Sequence, residues 1–200
     1  MSRVITADEV RQLQSSGLGD AELADTLVGW IEEPDVRYGV GVSPAELLSL
    51  AATHRGVTGD LDTQWELLQR ARAAEGATTI DIEAKMIASL ALRGQRDEAL
   101  ELADELRHQG VQSLISYLLI ASTLSDVEES RQALRWLNMG LRAFERREHS
   151  EADDAILQAL LTDRYQLRRQ AELGKDSYDE EAELILQRWA DEQQKAAEGD

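Results

Sequence analysis

The stretch Ile80–Arg107, IDIEAKMIASLALRGQRDEALELADELR, decides the fold. Its first half places Ile80, Ala84, Ile87, Ala88 and Ala91 at helical spacing, and its second half does the same with Ala99, Leu102, Ala103 and Leu106. Gly94 and Gln95 stand between them, so the segment reads as one helix–turn–helix unit. Two such helices cannot bury both apolar stripes alone. Neighbouring copies must stack to complete a core, and the pattern should recur on either side.

It does. Upstream, GDLDTQWELLQRAR repeats the turn and second helix, with Gly59 and Asp60 where Gly94 and Gln95 stand, 35 residues earlier. Downstream, another 34 residues lead from Gly94 to Glu128 in the turn SDVEES, where Asp126 and Glu129 have capping-box spacing. The helices flanking that turn carry Tyr117, Ile120, Ala121 and Leu124, then Ala133, Leu137, Gly140, Leu141 and Phe144 on their inner stripes. In period and in placement of small residues these units resemble the tetratricopeptide repeat, where a small residue in each helix lets two backbones approach. Ala121, Ala133 and Gly140 occupy those positions in the third unit and Ala99 the most diagnostic one in the second. The first unit departs, with Gln64 where the small residue belongs and Trp65 beside it. The resemblance covers about residues 44 to 146 and implies a short right-handed α-solenoid. A second resemblance rests on ALRWLNMGLRAFERR and RYQLRRQAELGKDSYDEE, which are similar to the helical portion of actinobacterial SEC-C motif proteins. Those proteins bind zinc through a Cys-rich motif. This chain has no cysteine, so no metal is carried over.

Start and stop signals organise the rest. Thr6 and Glu9 have capping-box spacing before a short helix over about residues 7 to 16, and Asp20 can cap a second helix with Leu23, Leu27, Trp30 and Ile31 on one stripe. The segment EEPDVRYGVGV, Glu32–Val42, is the longest loop and the place for a short extended piece. Ser43, Pro44 and Glu46 form the strongest helix start, for a helix to about His54. Ser150 can cap a longer helix with Ile156, Leu160, Leu167 and Ala171 inward, ended at Leu173–Gly174 by a left-handed cap. Ser177 and Glu180 then open a terminal helix with Tyr178, Ala182, Ile185, Leu186 and Trp189 in its stripe, and the tail QQKAAEGD has no apolar anchor. The expectation is a single all-α domain over residues 1–200 with about ten helices. Capping helices occupy 1–33, three degenerate repeats 44–146, and a longer helix pair 150–197.

Composition narrows the partners. The 39 acidic and 21 basic residues give a net charge of −18, which repels phosphate backbones and disfavours nucleic acid. Residues 151–200 alone hold 14 acids against 6 Lys or Arg. With no cysteine there is no disulfide and no thiolate nucleophile, and no run of ~18 apolar residues suits a membrane. The N-terminus MSRVITADEVRQL lacks an apolar core of signal-peptide length, so the reading is cytoplasmic and away from membranes.

Catalytic constellations are hard to find. His54, His108 and His149 each fall near the end of a different helix, where the dipole favours imidazolium. Glu98, Glu101 and Glu105, or Asp153, Asp154 and Asp163, could line acidic faces for magnesium, but interleaved Arg and Lys favour solvated faces with ion pairs. GVGV lacks the Lys and the spacing of a phosphate loop. No cofactor is expected. The cluster against the overall charge is Arg164, Arg168 and Arg169, with Arg142, Arg146 and Arg147 on the helix before. Arg164 and Arg168 lie one turn apart, able to offer two guanidinium forks to a partner or to pair with nearby acids. Arg135 beside Trp136, and Tyr117, complete the candidate partner-binding residues. Trp30, Trp65, Trp136 and Trp189 read as core, and any left exposed marks an interface. The functional expectation is a non-enzymatic scaffold that holds a peptide or helix of a partner protein in the concave groove of the array. The alternatives are a homodimer paired through terminal helices and a metal-dependent helical hydrolase.

Overall fold

Helix-forming Ala, Leu, Glu, Gln and Arg outnumber every breaker, and only Pro34 and Pro44 remove backbone donors. The computed structural model describes residues 3–148 and 150–198 and is all-α. About 74% is helical against a base rate of roughly a third, with ten helices among the described residues. The extended piece in the 32–42 loop is β2 (Arg37–Tyr38). It pairs in parallel with β1 (Val4–Ile5), Ile5 opposite Tyr38, a partner that the N-terminal sequence did not announce.

The chain forms two compact units, Met1–Gly110 and Val111–Asp200. The first contains α1 (Ala7–Gln14), α2 (Asp20–Glu32), α3 (Pro44–Val57), α4 (Leu61–Ala73), α5 (Ile82–Leu92) and α6 (Arg96–Gln109). Successive helices from α2 to α6 pack on one another. Ile5, Leu27, Leu47, Ala51, Leu68 and Ile82 are among the residues of its core. α5 is buried on more than one stripe, at Ile82, Ala84, Met86, Ile87, Ser89 and Leu90, because α4 and α6 both pack against it. The second unit contains α7 (Leu114–Asp126), α8 (Ser130–Glu145), α9 (Glu151–Gln170) and α10 (Ser177–Glu198), with α9 against α7, α8 and α10. Its core holds Leu114, Ile120, Leu124, Trp136, Leu137, Leu141 and Leu160.

Most start signals work as their chemistry demands. Thr6 and Glu9 cap each other's backbone N–H at 2.8 and 3.3 Å, and at Ser150 the Asp153 carboxylate accepts both the backbone N–H and the hydroxyl, at 2.9 and 3.0 Å. Ser43 accepts from the Glu46 N–H at 3.0 Å, but the Glu46 carboxylate turns away to accept from Thr79 N–H and Oγ1, at 2.9 and 2.8 Å. Three expectations are corrected by one residue or more. Gly19, not Asp20, precedes α2, and Glu22 returns to its N–H. Asp126 closes α7 instead of capping α8, whose first turn follows Glu129. α10 is capped by Asp176 and Asp179, each accepting the other's N–H at 3.1 and 3.2 Å, one residue before Ser177 and Glu180.

The hairpins α3–α4, α5–α6 and α7–α8 close with one and the same turn. Gly59, Gly94 and Glu128 take left-handed φ of 78°, 74° and 64°. In each case that residue's N–H reaches the carbonyl three back, and the next N–H the carbonyl five back, at 2.8–3.0 Å. This is the Schellman arrangement, which satisfies the orphan carbonyls of the first helix. The same motif ends α9, with Glu172 (φ 54°) in place of the expected Gly174, which gives its carbonyl to the Arg168 guanidinium. Ala99, Ala121 and Ala133 are buried. A Cβ on Gly140 would stand 3.0 Å from both Leu160 and Tyr117. Gln64 fits where a small residue was expected because Gly56 on α3 makes room, a Cβ there falling within the Gln64 amide, and Ser89 donates to Gln64 Oε1 at 3.0 Å.

Candidate functional site

α9 carries both the Arg cluster and its surroundings. Arg164 is 4% exposed and donates from Nε to Asn138 Oδ1 at 2.8 Å, and from Nη1 to Asp176 Oδ1 at 3.0 Å and Asp179 Oδ1 at 2.9 Å. Its second terminal nitrogen holds the other Asp176 oxygen. One turn on, Arg168 donates from Nε to Asp179 Oδ2 at 3.0 Å and pairs with Asp176 at 3.3 Å. The two acids are the pair that caps α10, so one four-residue node both starts that helix and fastens it to α9. The Arg164 hydrogen bond, first among its causes, holds the Asp176 carboxyl below its ordinary pKa. Asp179 is 2% exposed. Charges buried this deeply persist because two cations face two anions with hydrogen bonds in place. The two forks therefore meet carboxylates of their own chain instead of solvent.

The remaining candidates divide by exposure. Arg169 is exposed and lies 5.7 Å over the Tyr165 ring, whose hydroxyl donates to Glu183 at 2.8 Å. Arg135 is exposed, while Trp136 beside it is buried against Tyr117 with ring centroids 5.8 Å apart. Tyr117 is thus a core aromatic, not a groove residue. Arg146 returns to the Arg142 carbonyl and Arg147 to the Gln112 carbonyl, so the six arginines are not one patch. Trp30 and Trp65 are half-buried, and on α10 Trp189 is 38% and Leu184 64% exposed.

The histidines sit where dipole arguments place them. His54 and His108 occupy the last turns of α3 and α6, with His54 Nδ1 2.7 Å from Asp20 and His108 Nε2 3.7 Å from Asp104. His149 lies outside the described residues. Glu98, Glu101 and Glu105 face solvent on α6. Asp153 is bound into its cap and Asp154 is exposed, while Asp163 stands about two and a half turns further along α9, so those three acids do not converge.

Two features were not legible beforehand. Lys85 on α5 donates to the Ser49 carbonyl at 3.2 Å and to Thr53 Oγ1 at 3.0 Å, crossing to α3 at the edge of a cleft of about 330 Å³. Burial pushes its pKa down, and Glu46 opposes that. No spacing in the sequence marks it, since its partners are a carbonyl and a hydroxyl 36 and 32 residues away. The second feature is a cleft of about 190 Å³ where α7, α8 and α9 meet, with Ala121, Leu137 and Leu167 as its buried floor and Asp163 on its wall. Burial raises the Asp163 pKa, and no hydrogen bond or ion pair to it occurs among the described residues.

No protein-family model, curated protein or solved structure matches the chain.

Proposed function

We propose that this chain is a non-catalytic, cytoplasmic recognition scaffold built from tetratricopeptide-like hairpins, which takes a peptide or helix of a partner protein. The observation that carries the reading is the turn shared by residues 59, 94 and 128, with buried Ala99 and Ala133 at matching places in the second and third hairpins. Repetition of one rigid hairpin multiplies similar surfaces, and such surfaces serve extended or helical ligands better than they serve chemistry. The warrant is resemblance of architecture. Because Arg164 and Arg168 are engaged internally, Arg135 and Arg169 are the candidate partner-binding arginines that stand exposed.

The test is affinity capture of the tagged protein from its native lysate, read by mass spectrometry, with Arg135→Glu and Arg169→Glu alongside. A protein held by wild type and lost with either variant supports the scaffold. Turnover of a small molecule by the purified chain would overturn it.

Exposed Leu184 and Trp189 favour a second reading, in which α10 pairs with α10 of another copy. Light scattering decides it: a mass of two chains that falls to one with Trp189→Glu supports the dimer, and a constant monomer mass across concentrations removes it.

A further inference from the structure

We propose that the cleft between α7, α8 and α9 is a subsite for one lysine or arginine side chain of a partner protein. In it the alkyl stem lies on Ala121, Leu137 and Leu167 and the cationic head meets Asp163. The inference deepens the scaffold reading and rests on it for the source of that side chain.

Shape and charge agree on this ligand. The cleft is much larger than the ~10–15 Å³ that one water needs, so it can admit a side chain. Its floor is buried apolar surface from three helices, and its rim is polar, with Ser125, Asp126, Gln166 and Gln170. None of these rim side chains makes a hydrogen bond or ion pair within the chain among the described residues, and neither does Asp163. A long basic side chain matches that layout, because its methylenes favour apolar surface while its head keeps polar company. A hydrated ion would gain nothing from the floor. A neutral apolar side chain would leave the Asp163 carboxylate desolvated without compensation. The surrounding field helps the encounter, since a net charge of −18 draws cationic segments toward the surface. A guanidinium adds the option of a two-point contact with Asp163, as a carboxylate prefers.

The experiment is amide and carboxyl NMR on the full chain, titrated with acetyl-arginine amide and acetyl-lysine amide. Acetyl-norleucine amide, which keeps the stem and lacks the charge, is the comparison. Saturable shifts at Ser125, Asp163 and Gln166 with the two cations, weakened at least about tenfold with norleucine and with Asp163→Asn, support the subsite. The cation should also lower the apparent pKa of Asp163, because it binds the ionised carboxylate. Glu101→Gln, which removes a charge in the other unit, should leave the titration unchanged. Equal shifts with norleucine, shifts spread over the acidic surface without saturation, or no shift at all would each overturn the proposal. Its fate separates from that of the scaffold. A partner captured by wild type and by Asp163→Asn alike, with no probe response, sinks the subsite alone. Probe binding at Asp163 without any captured partner sinks the scaffold alone.

Discussion

Asp163 and Arg164 are neighbours on α9 and stand in opposite electrostatic circumstances. A step of one residue turns a side chain about 100° around a helix, so Arg164 faces α8 and α10 while Asp163 faces the cleft with α7. Arg164 makes four hydrogen bonds to Asn138, Asp176 and Asp179. Asp163 makes none among the described residues, and burial disfavours its charge. A satisfied buried charge acts as structure. A half-buried carboxylate without a partner, such as Asp163, costs some stability, and something outside the chain can complete it, the reading that the cleft invites.

The largest break in this comparison comes from the satisfied side. Asp179→Ala removes a carboxylate that Arg164 and Arg168 share and half of the α10 cap. Leaving Arg164 and Arg168 with only the Asp176 carboxylate between them should cost the second unit about 3 kcal/mol. Urea unfolding followed by amide exchange in α9 and α10 reads the loss, and a change below about 1 kcal/mol would mean that the node is solvated in practice. Asp179→Ala with Arg164→Leu should recover part of it.

Next in size is Gly140→Ala. Its new Cβ meets Leu160 on α9 and Tyr117 on α7 at 3.0 Å, so it pushes on the same helices that frame both the node and the cleft. Overpacking of this kind costs about 1–3 kcal/mol. If the cost is real, Asn138 and Arg164 should show altered amide shifts, and a neutral outcome would mean that α9 floats enough to absorb a methyl group. A smaller effect of opposite sign is expected at Glu128, just beyond the cleft's rim at Ser125 and Asp126. Glu128→Gly relieves a left-handed backbone, matches Gly59 and Gly94, and should stabilise by about 1 kcal/mol in the same urea experiment. No gain there would show that the turn is held by contacts that Glu128 itself makes.

Much of the architecture was legible because it rests on short-range rules. Period, small residues and turn position sufficed for ten helices and for turns at 59, 94 and 128, since a left-handed cap and an apolar stripe are local signals. What the sequence could not reveal depended on which side chain won a competition. Asp176 and Asp179 displaced Ser177 and Glu180 as the cap of α10 because they also bind Arg164 and Arg168, a choice made through tertiary contact. The same contact explains why, of the cluster that spacing suggests, Arg164 is an interior group and Arg168 is half-buried. The extended piece at β2 was expected, but its partner β1 escaped notice because it has only two residues. Asp163 was visible only as one of many acids, since isolation from partners is a property of space and not of spacing.

The smallest effect is the most discriminating one. Asp163 has its folded pKa raised above the ordinary value near 3.9, so at higher pH the folded state carries a charge it disfavours. That cost is present above the raised value and fades as pH falls through it toward about 3.9. Asp176 behaves in the opposite way. Its folded pKa is lowered, so its contribution is present above about 3.9 and is lost as pH falls through the lower folded value. Asp163→Asn should therefore stabilise the second unit slightly at neutral pH, by no more than about 0.5 kcal/mol for so partly exposed a site, with the difference vanishing on acidification toward 3.9. Asp176→Asn should instead destabilise at neutral pH and flatten the acid limb below that point. Stability against pH for wild type and both variants checks the pair of slopes together. If Asp163→Asn destabilises at neutral pH, the carboxylate already has a favourable role inside the chain. The two sides of α9 would then differ only in degree.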